Sequence, residues 1–221
     1  MTRIRRAFLA SAVTTAAIAA GAGTASAITI NVPAGLCDQQ SFSTPFAGLG
    51  DANAYARVPG GDFEGTLKDW TLTGKAVAIT DKVDNLGLGG DRKALYLPPG
   101  ASATSPLMCV TTDYPYFRFF ARSKSKATGS RLRVDVIYEA TSPATVIPVG
   151  SLNGPAMTTW QATPQLRTGV IMATIAANLA NTQQILAGDT PVVGAGPMRI
   201  RLTAVTETWE ADEVFVDPKM R

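Results

Sequence analysis

Short apolar runs, separated by glycine, proline, aspartate and serine, recur along most of the chain. Residues 131–138, RLRVDVIY, place an apolar side chain at nearly every second position, so one face of the segment is apolar and the other is largely charged. That alternation is typical of a half-buried β-strand, and short runs of this kind between turn residues are typical of an antiparallel sandwich. Strands are predicted at residues 75–80, 93–97, 105–110, 116–122, 131–138, 145–149, 199–205 and 214–217.

Residues 168–188 differ from the rest because they carry no charge and repeat Ile171, Ile175 and Leu179 at helical spacing. The asparagine, threonine and glutamine side chains among them would be costly in lipid, which disfavours a membrane span. We therefore expect a helical connection near residues 168–188 that closes one end of an all-β sandwich.

The first 27 residues have the pattern of a signal peptide. Three arginines precede an uncharged apolar run that ends in Ala25-Ser26-Ala27, a small-x-small cleavage site. The alternative, an uncleaved membrane anchor, would need a longer apolar core. Arg5 and Arg6 resemble a twin-arginine signal, but Ile4 stands where that signal has Ser or Thr, so export of the unfolded chain is the expected route. The protein is expected to be secreted, with no membrane span after signal removal.

Removal of the signal changes the charge balance. The chain has 20 basic and 17 acidic residues, and the signal takes three arginines, so 20 − 3 = 17 basic residues remain against 17 acidic ones. A neutral chain gives no support to a nucleic-acid partner or an anionic membrane surface. The remaining 221 − 27 = 194 residues suit one domain. We expect an extended N-terminal arm over residues 28–59 and a sandwich domain over residues 60–221.

Cys37 and Cys109 are the only cysteines of the chain. In an exported protein a disulfide between them is expected, because that compartment is oxidising; a pair of buried thiols is the alternative. The bridge would close a loop of 109 − 37 = 72 residues, worth about 4 kcal/mol on the chain-entropy account.

A set of motifs in a fixed order carries a resemblance to a known family. GGDFE at residues 60–64 is followed by Trp70, YFRFFAR, Trp160, MRIRLTA and ADEVFVDP. This order resembles carbohydrate-binding modules of the galactose-binding-domain-like jelly-roll class, and it implies an all-β, antiparallel jelly-roll β-sandwich with Trp70 in the core. More narrowly, PGGDFE, LPPGASATSPLMCV and YPYFRFFAR resemble a group of secreted actinobacterial proteins, a likeness that brings no activity with it.

The same resemblance implies a structural calcium held by Glu64 and Asp212 together with main-chain carbonyls, a ligand set that suits a hard cation. The alternative is that both carboxylates accept hydrogen bonds from main-chain amides or lie in water. Glu213 follows Asp212 where the family usually has a second aspartate.

Arginines alternate with apolar residues in three predicted strands. If those strands share one sheet, their outward side chains would form an arginine-lined face, which could bind an acidic or hydroxyl-rich glycan. A solvated face whose arginines pair with nearby acids is the alternative. The candidate ligand-binding residues are Arg118, Arg131, Arg133, Asp135, Arg199, Arg201 and Trp160.

Catalysis is disfavoured because the chain has no histidine to act as a general base and no cysteine expected to be free. Acid pairs at Asp62 and Glu64 or at Asp212 and Glu213 could still hydrolyse a glycosidic bond, although neighbouring residues of one strand point to opposite faces. We expect a secreted, non-catalytic binding protein for a polysaccharide or a cell-envelope glycan. A structural envelope protein without a sugar site and a weak glycan hydrolase are the alternatives.

Overall fold

A computed structural model describes residues 40–80, 93–111, 116–139, 144–168 and 195–217. The strands of these residues form two antiparallel sheets. Sheet A consists of β1 (Phe42–Ser43), β2 (Tyr55–Arg57), β4 (Val77–Thr80), β5 (Lys93–Leu97), β8 (Tyr116–Ser123), β11 (Gln161–Ala162), β12 (Leu166–Arg167) and β14 (Trp209–Asp217). Sheet B consists of β3 (Thr71–Thr73), β6 (Ser102–Thr104), β7 (Met108–Thr111), β9 (Arg131–Tyr138), β10 (Thr145–Asn153) and β13 (Ala195–Thr206).

Each sheet is organised around one long strand from the C-terminal part of the chain. In sheet A, β14 pairs with β8 on one side and with β2 and β5 on the other. In sheet B, β13 pairs with β9 on one side and with β6 and β7 on the other. Neighbouring strands are mostly distant in sequence, and all of these pairings are antiparallel. The prediction of an antiparallel jelly-roll sandwich is confirmed.

The hydrophobic core lies between the two sheets. Alternate residues of β9, namely Leu132, Val134 and Val136, are fully buried there, as are Trp209 and Val214 of β14. Because directly paired residues of antiparallel strands share a face, the charged positions of β9 and β13 point away from this core.

The opening GGDFE turn covers one end of the core, and Trp70 lies beneath it, as the resemblance implied. The indole of Trp70 is nearly buried, lies 5.0 Å from the ring of Phe63 and donates to the carbonyl of Pro59 at 3.0 Å. Phe63 has a φ of 51°, and Gly61 fits so closely that a Cβ would lie 2.8 Å from the carbonyl oxygen of Val214. The turn therefore depends on backbone conformations that the alternation of apolar and polar residues does not predict.

The structure has β5 at residues 93–97 and β9 at residues 131–138, and both strands have the bounds that the sequence predicted. The prediction of one strand at 105–110 was wrong, because residues 105–107, which include Pro106, separate β6 from β7, and proline has no amide hydrogen for a sheet ladder. The last strand begins at Trp209 rather than at residue 214.

Several predictions concern residues outside the described ranges: the signal peptide, Cys37 and the helical connection from residue 169 onward. Cys109 lies in β7, but its side chain is not described. The predicted arm, 28–59, is described from residue 40, where β1 and β2 belong to sheet A. In the described part of the chain, no helix is long and apolar enough to cross a membrane.

Candidate functional site

Part of the outer face of sheet A is covered by residues 46–55, which we call the N-terminal segment. Phe120 and Phe215 alternate with core residues of β8 and β14 and point outward, and the ring of Phe46 lies 5.4 Å and 5.6 Å from theirs. Tyr55 packs edge-on against Phe46 at 5.0 Å. These four aromatic residues are buried and form a second hydrophobic cluster, so this part of sheet A is closed to a large ligand.

Arginines on this face lie over the aromatic rings and pair with acids. The Arg118 guanidinium lies 4.4 Å from the centre of the Phe46 ring and 2.7 Å from Asp51, and its Nε donates to the carbonyl of Thr163 at 2.9 Å. Cation–π contact and ion pairing thus act together to hold the N-terminal segment.

Arg122 and Arg57 repeat this arrangement. Arg122 lies over the ring of Trp160 at 4.9 Å and pairs with the buried Glu210. Arg57 lies 5.5 Å from the centre of the Phe215 ring and pairs with the fully buried Glu213 at 3.0 Å. The arginines of sheet A therefore have structural partners.

Asp51 is the acceptor at the centre of this network. Its Oδ2 accepts hydrogen bonds from the hydroxyl of Tyr55 at 2.7 Å, from Arg118 at 2.7 Å and from Gln165 at 3.2 Å. Burial alone would raise the pKa of Asp51, but these hydrogen bonds outweigh it and hold the pKa below its ordinary value of 3.8. Burial, together with the bond to Asp51, raises the pKa of Tyr55 to about 12.

Asp51→Asn is expected to flatten the acid side of the stability curve. A carboxyl whose pKa is lowered by folding stabilises the protein above its unfolded pKa, and this contribution disappears as the pH falls through the folded pKa. The wild type should therefore lose more stability than the variant below about pH 4. Urea midpoints between pH 2 and pH 7 measure the difference. Asp69→Asn, the same change at an exposed position, is the control, and parallel curves for wild type and Asp51→Asn would contradict the expectation.

The outer face of sheet B carries mostly polar side chains, and Thr71, Thr73, Arg133 and Ser151 are exposed there. Strand register places the side chains of five strands in two rows that cross the sheet, and four strand spacings make each row about 19 Å long. The first row is Thr73, Ser102, Thr203, Arg133 and Ser151. The second row is Thr71, Thr104, Arg201, Asp135 and Pro148.

Two arginines of these rows share one buried carboxylate. Oδ2 of Asp135 accepts from Nε of Arg133 at 3.2 Å and from Nε and Nη2 of Arg201 at 3.1 Å and 2.8 Å. The Asp135 side chain is 2% exposed, whereas those of Arg133 and Arg201 are 46% and 29% exposed. We call this group the Arg133–Asp135–Arg201 cluster.

The structure divides the predicted ligand-binding residues between two faces. Five of them share the outer face of sheet B: Arg131, Arg133, Asp135, Arg199 and Arg201. Arg118 lies on β8 of sheet A, so the expectation of one common arginine face is wrong for this residue. Trp160, the aromatic candidate, packs against the aromatic cluster of sheet A. The hydroxyl groups of the two rows were missed, because Thr71, Thr73 and Ser102 lie in three-residue strands, which are too short to establish an alternation.

The two predicted calcium ligands each accept a hydrogen bond from a main-chain amide. Glu64 Oε1 accepts from the amide of Lys93 at 2.5 Å, and Asp212 Oδ1 accepts from the amide of Glu213 at 2.8 Å. The Lys93 ammonium also donates to the Glu64 carbonyl at 2.7 Å and places a positive charge there. Among the described residues, no three His, Cys, Asp or Glu side chains converge as metal ligands. A calcium ion at Glu64 and Asp212 stays a prediction, and the Lys93 ammonium is the cation that would compete with it at Glu64.

No protein-family profile and no curated protein matches the chain. Solved structures with a similar sandwich include carbohydrate-binding modules. The C-terminal family 22 module of Clostridium thermocellum Xyn10B is 15% identical, with a TM-score of 0.40 over 77% of this chain and 99% of that one. TmCBM61 in complex with beta-1,4-galactotriose is 10% identical, with a TM-score of 0.38 over 74% of this chain and 98% of that one.

A two-module structure from C. thermocellum, CBM22-1 with a GH10 xylanase module in complex with xylohexaose, is 10% identical, with a TM-score of 0.43. The match covers 72% of this chain and 28% of that one. This chain thus spans about a quarter of that structure's length.

Proposed function

We propose that this protein is a non-catalytic binding module that holds a polysaccharide on the outer face of sheet B. The observation that carries the proposal is the contrast between the two outer faces. Part of the outer face of sheet A is covered by a buried aromatic cluster, whereas the outer face of sheet B exposes Thr71, Thr73, Arg133 and Ser151. Sugar hydroxyls need both donors and acceptors; serine and threonine hydroxyls supply both, and arginine supplies donors.

The state of the acidic residues supports a binding role over hydrolysis. Glycoside hydrolysis needs one carboxyl that can give a proton and a second that can take one or attack. Asp62 pairs with Arg57 at 3.1 Å, and Glu64 is engaged by the amide and ammonium of Lys93. On the proposed face Asp135 is buried between two guanidinium groups.

Export would bring the module to its ligand. We propose that residues 1–27 are removed during secretion and that Cys37 and Cys109 form a disulfide, so that the protein meets polysaccharides or envelope glycans outside the cytoplasmic membrane. N-terminal sequencing of the protein from culture medium and thiol titration of the unfolded chain test the two parts separately.

Retention on immobilised polysaccharides tests the binding role. Neutral and acidic polymers and purified cell wall are compared, and saturable retention on at least one is expected. Ser151→Trp places a bulky side chain on the outer face of sheet B and should abolish retention at an unchanged melting temperature. Val77→Trp is the matched control, because Val77 is 46% exposed on β4 of sheet A. Equal losses in both variants, or no retention on any polymer, would contradict the proposal, and the second result would favour a structural envelope role.

A calcium ion on Glu64 and Asp212 would stabilise the fold by joining the opening turn to β14. In that case, a chelator is expected to lower the melting temperature of the wild type but not of Glu64→Ala. An unchanged melt of the wild type would leave Lys93 as the cation beside Glu64.

A further inference from the structure

We infer that the Arg133–Asp135–Arg201 cluster binds the carboxylate or sulfate group of an anionic polysaccharide. This inference rests on the proposed function and narrows its ligand class from polysaccharides in general to charged ones.

The two arginines keep donors for a ligand. Arg133 directs only its Nε–H to Asp135, and Arg201 directs its Nε–H and one Nη2–H. Within the described residues, neither guanidinium makes another hydrogen bond or ion pair. Because a guanidinium carries five N–H donors in a planar fork, both arginines have Nη groups that can reach an oxyanion.

The cluster has an excess of positive charge that faces solvent. Two guanidinium groups and one carboxylate leave a net charge of 2 − 1 = +1. Asp135 is buried and cannot be reached by a ligand, whereas both arginines are partly exposed. An incoming oxyanion would therefore meet only donors, and its two oxygens match the fork of a guanidinium.

The rest of the face favours a sugar polymer over other polyanions. The cluster is flanked along the two rows by Ser151 and Thr104, which can bond the hydroxyls of the same ligand. Single-stranded nucleic acid usually needs aromatic platforms for its bases, and neither described row contains an aromatic residue.

Calorimetric titration with four polymers tests the inference. Polygalacturonate supplies carboxylates, dextran sulfate supplies sulfates, dextran is neutral, and a single-stranded DNA oligonucleotide is a polyanion without sugar hydroxyls at every unit. The wild type is expected to bind one of the two acidic polysaccharides at least about tenfold more tightly than dextran, because charge-assisted hydrogen bonds are stronger than neutral ones. The preferred polymer identifies the charged group.

Charge-conserving variants separate recognition by the fork from attraction by charge. The double variant Arg133→Lys/Arg201→Lys keeps every charge but loses the planar forks, so its affinity for the acidic polymer should fall about tenfold. Arg167→Lys, on β12 of sheet A, is the matched control and should bind as the wild type does.

Asp135→Asn tests whether the buried carboxylate positions the two arginines. It raises the charge of the face by one unit, so simple attraction would strengthen binding, whereas loss of the held geometry would weaken it. We expect weaker binding, with a melting curve to show that the variant folds. Full affinity of the double lysine variant, or tightest binding of the DNA, would overturn the inference. Binding of dextran as tight as that of the acidic polymers would overturn the inference alone and leave the proposed polysaccharide site standing, whereas failure to bind any polysaccharide would remove both.

Discussion

Gly154→Ala is expected to lower the free energy of unfolding by about 3 kcal/mol, because the methyl group has no space. A Cβ at residue 154 would lie 2.3 Å from both Cβ and Oγ of Ser130 and 2.7 Å from Oγ of Ser123. The backbone cannot move away easily, since the Gly154 amide donates to the Ser130 carbonyl at 2.9 Å and its own carbonyl accepts from Met157 at 2.9 Å. This contact joins the end of β10 to the turn before β9.

Denaturant unfolding measures the Gly154→Ala effect, and Gly129→Ala is the matched control because a Cβ there meets nothing within 4 Å. The control should change stability by less than about 0.5 kcal/mol. In a cycle with Ser130→Gly, the double variant should recover part of the loss, since the two clashing atoms of Ser130 are removed while Oγ of Ser123 remains. Equal effects of the two alanine substitutions would show that packing at residue 154 is not the cause.

Arg118→Ala is expected to cost about 3 kcal/mol, the range found when one member of a buried ion pair is removed. The Arg118 side chain is only 12% exposed and makes three contacts at once, with Asp51, the carbonyl of Thr163 and the ring of Phe46. Its loss leaves the Asp51 carboxylate without its cationic partner, takes one donor from the Thr163 carbonyl and removes the cation over the Phe46 ring. The N-terminal segment should then detach from sheet A.

Thermal and urea unfolding of Arg118→Ala are compared with those of Arg131→Ala. Arg131 is exposed on β9, and its truncation should change stability by less than about 0.5 kcal/mol. A double-mutant cycle with Asp51→Ala gives the coupling of the pair, expected at about 1 kcal/mol or more. Little effect of Arg118→Ala would mean that the segment is held by its aromatic residues alone.

The bounds of β9, which has one partly exposed face, could be predicted from the sequence, whereas β14, which is buried on both faces, was predicted only in its C-terminal part. β9 shows clean alternation because its odd positions face solvent or charged neighbours. Every residue of β14 is buried, and its sequence alternates apolar and acidic residues only from Trp209 to Asp212. The strand also has an irregular register after Asp212, where Glu213 takes a φ of 50°. This irregularity interrupts the alternation of inward and outward side chains along β14.

The candidate site could be predicted only in part. Arginines at alternate positions of β9 and β13 indicate a charged face, and the structure places both strands side by side. The same alternation in β8 led to the inclusion of Arg118, because a strand's sequence does not say which sheet it joins. Arg201 and Asp135 are 66 positions apart in the sequence. The register that places them opposite each other could therefore not be predicted from a local sequence pattern.

The central place of β14 in sheet A has a consequence for the order of folding. β8, β2 and β5 all take their partner from residues 209–217, which leave the ribosome after every other described strand. Until then, these three strands present unpaired edges that invite self-association. The pairs β1–β2, β4–β5, β8–β11 and β8–β12 can form earlier, but they join into one sheet only when residues 209–217 are available.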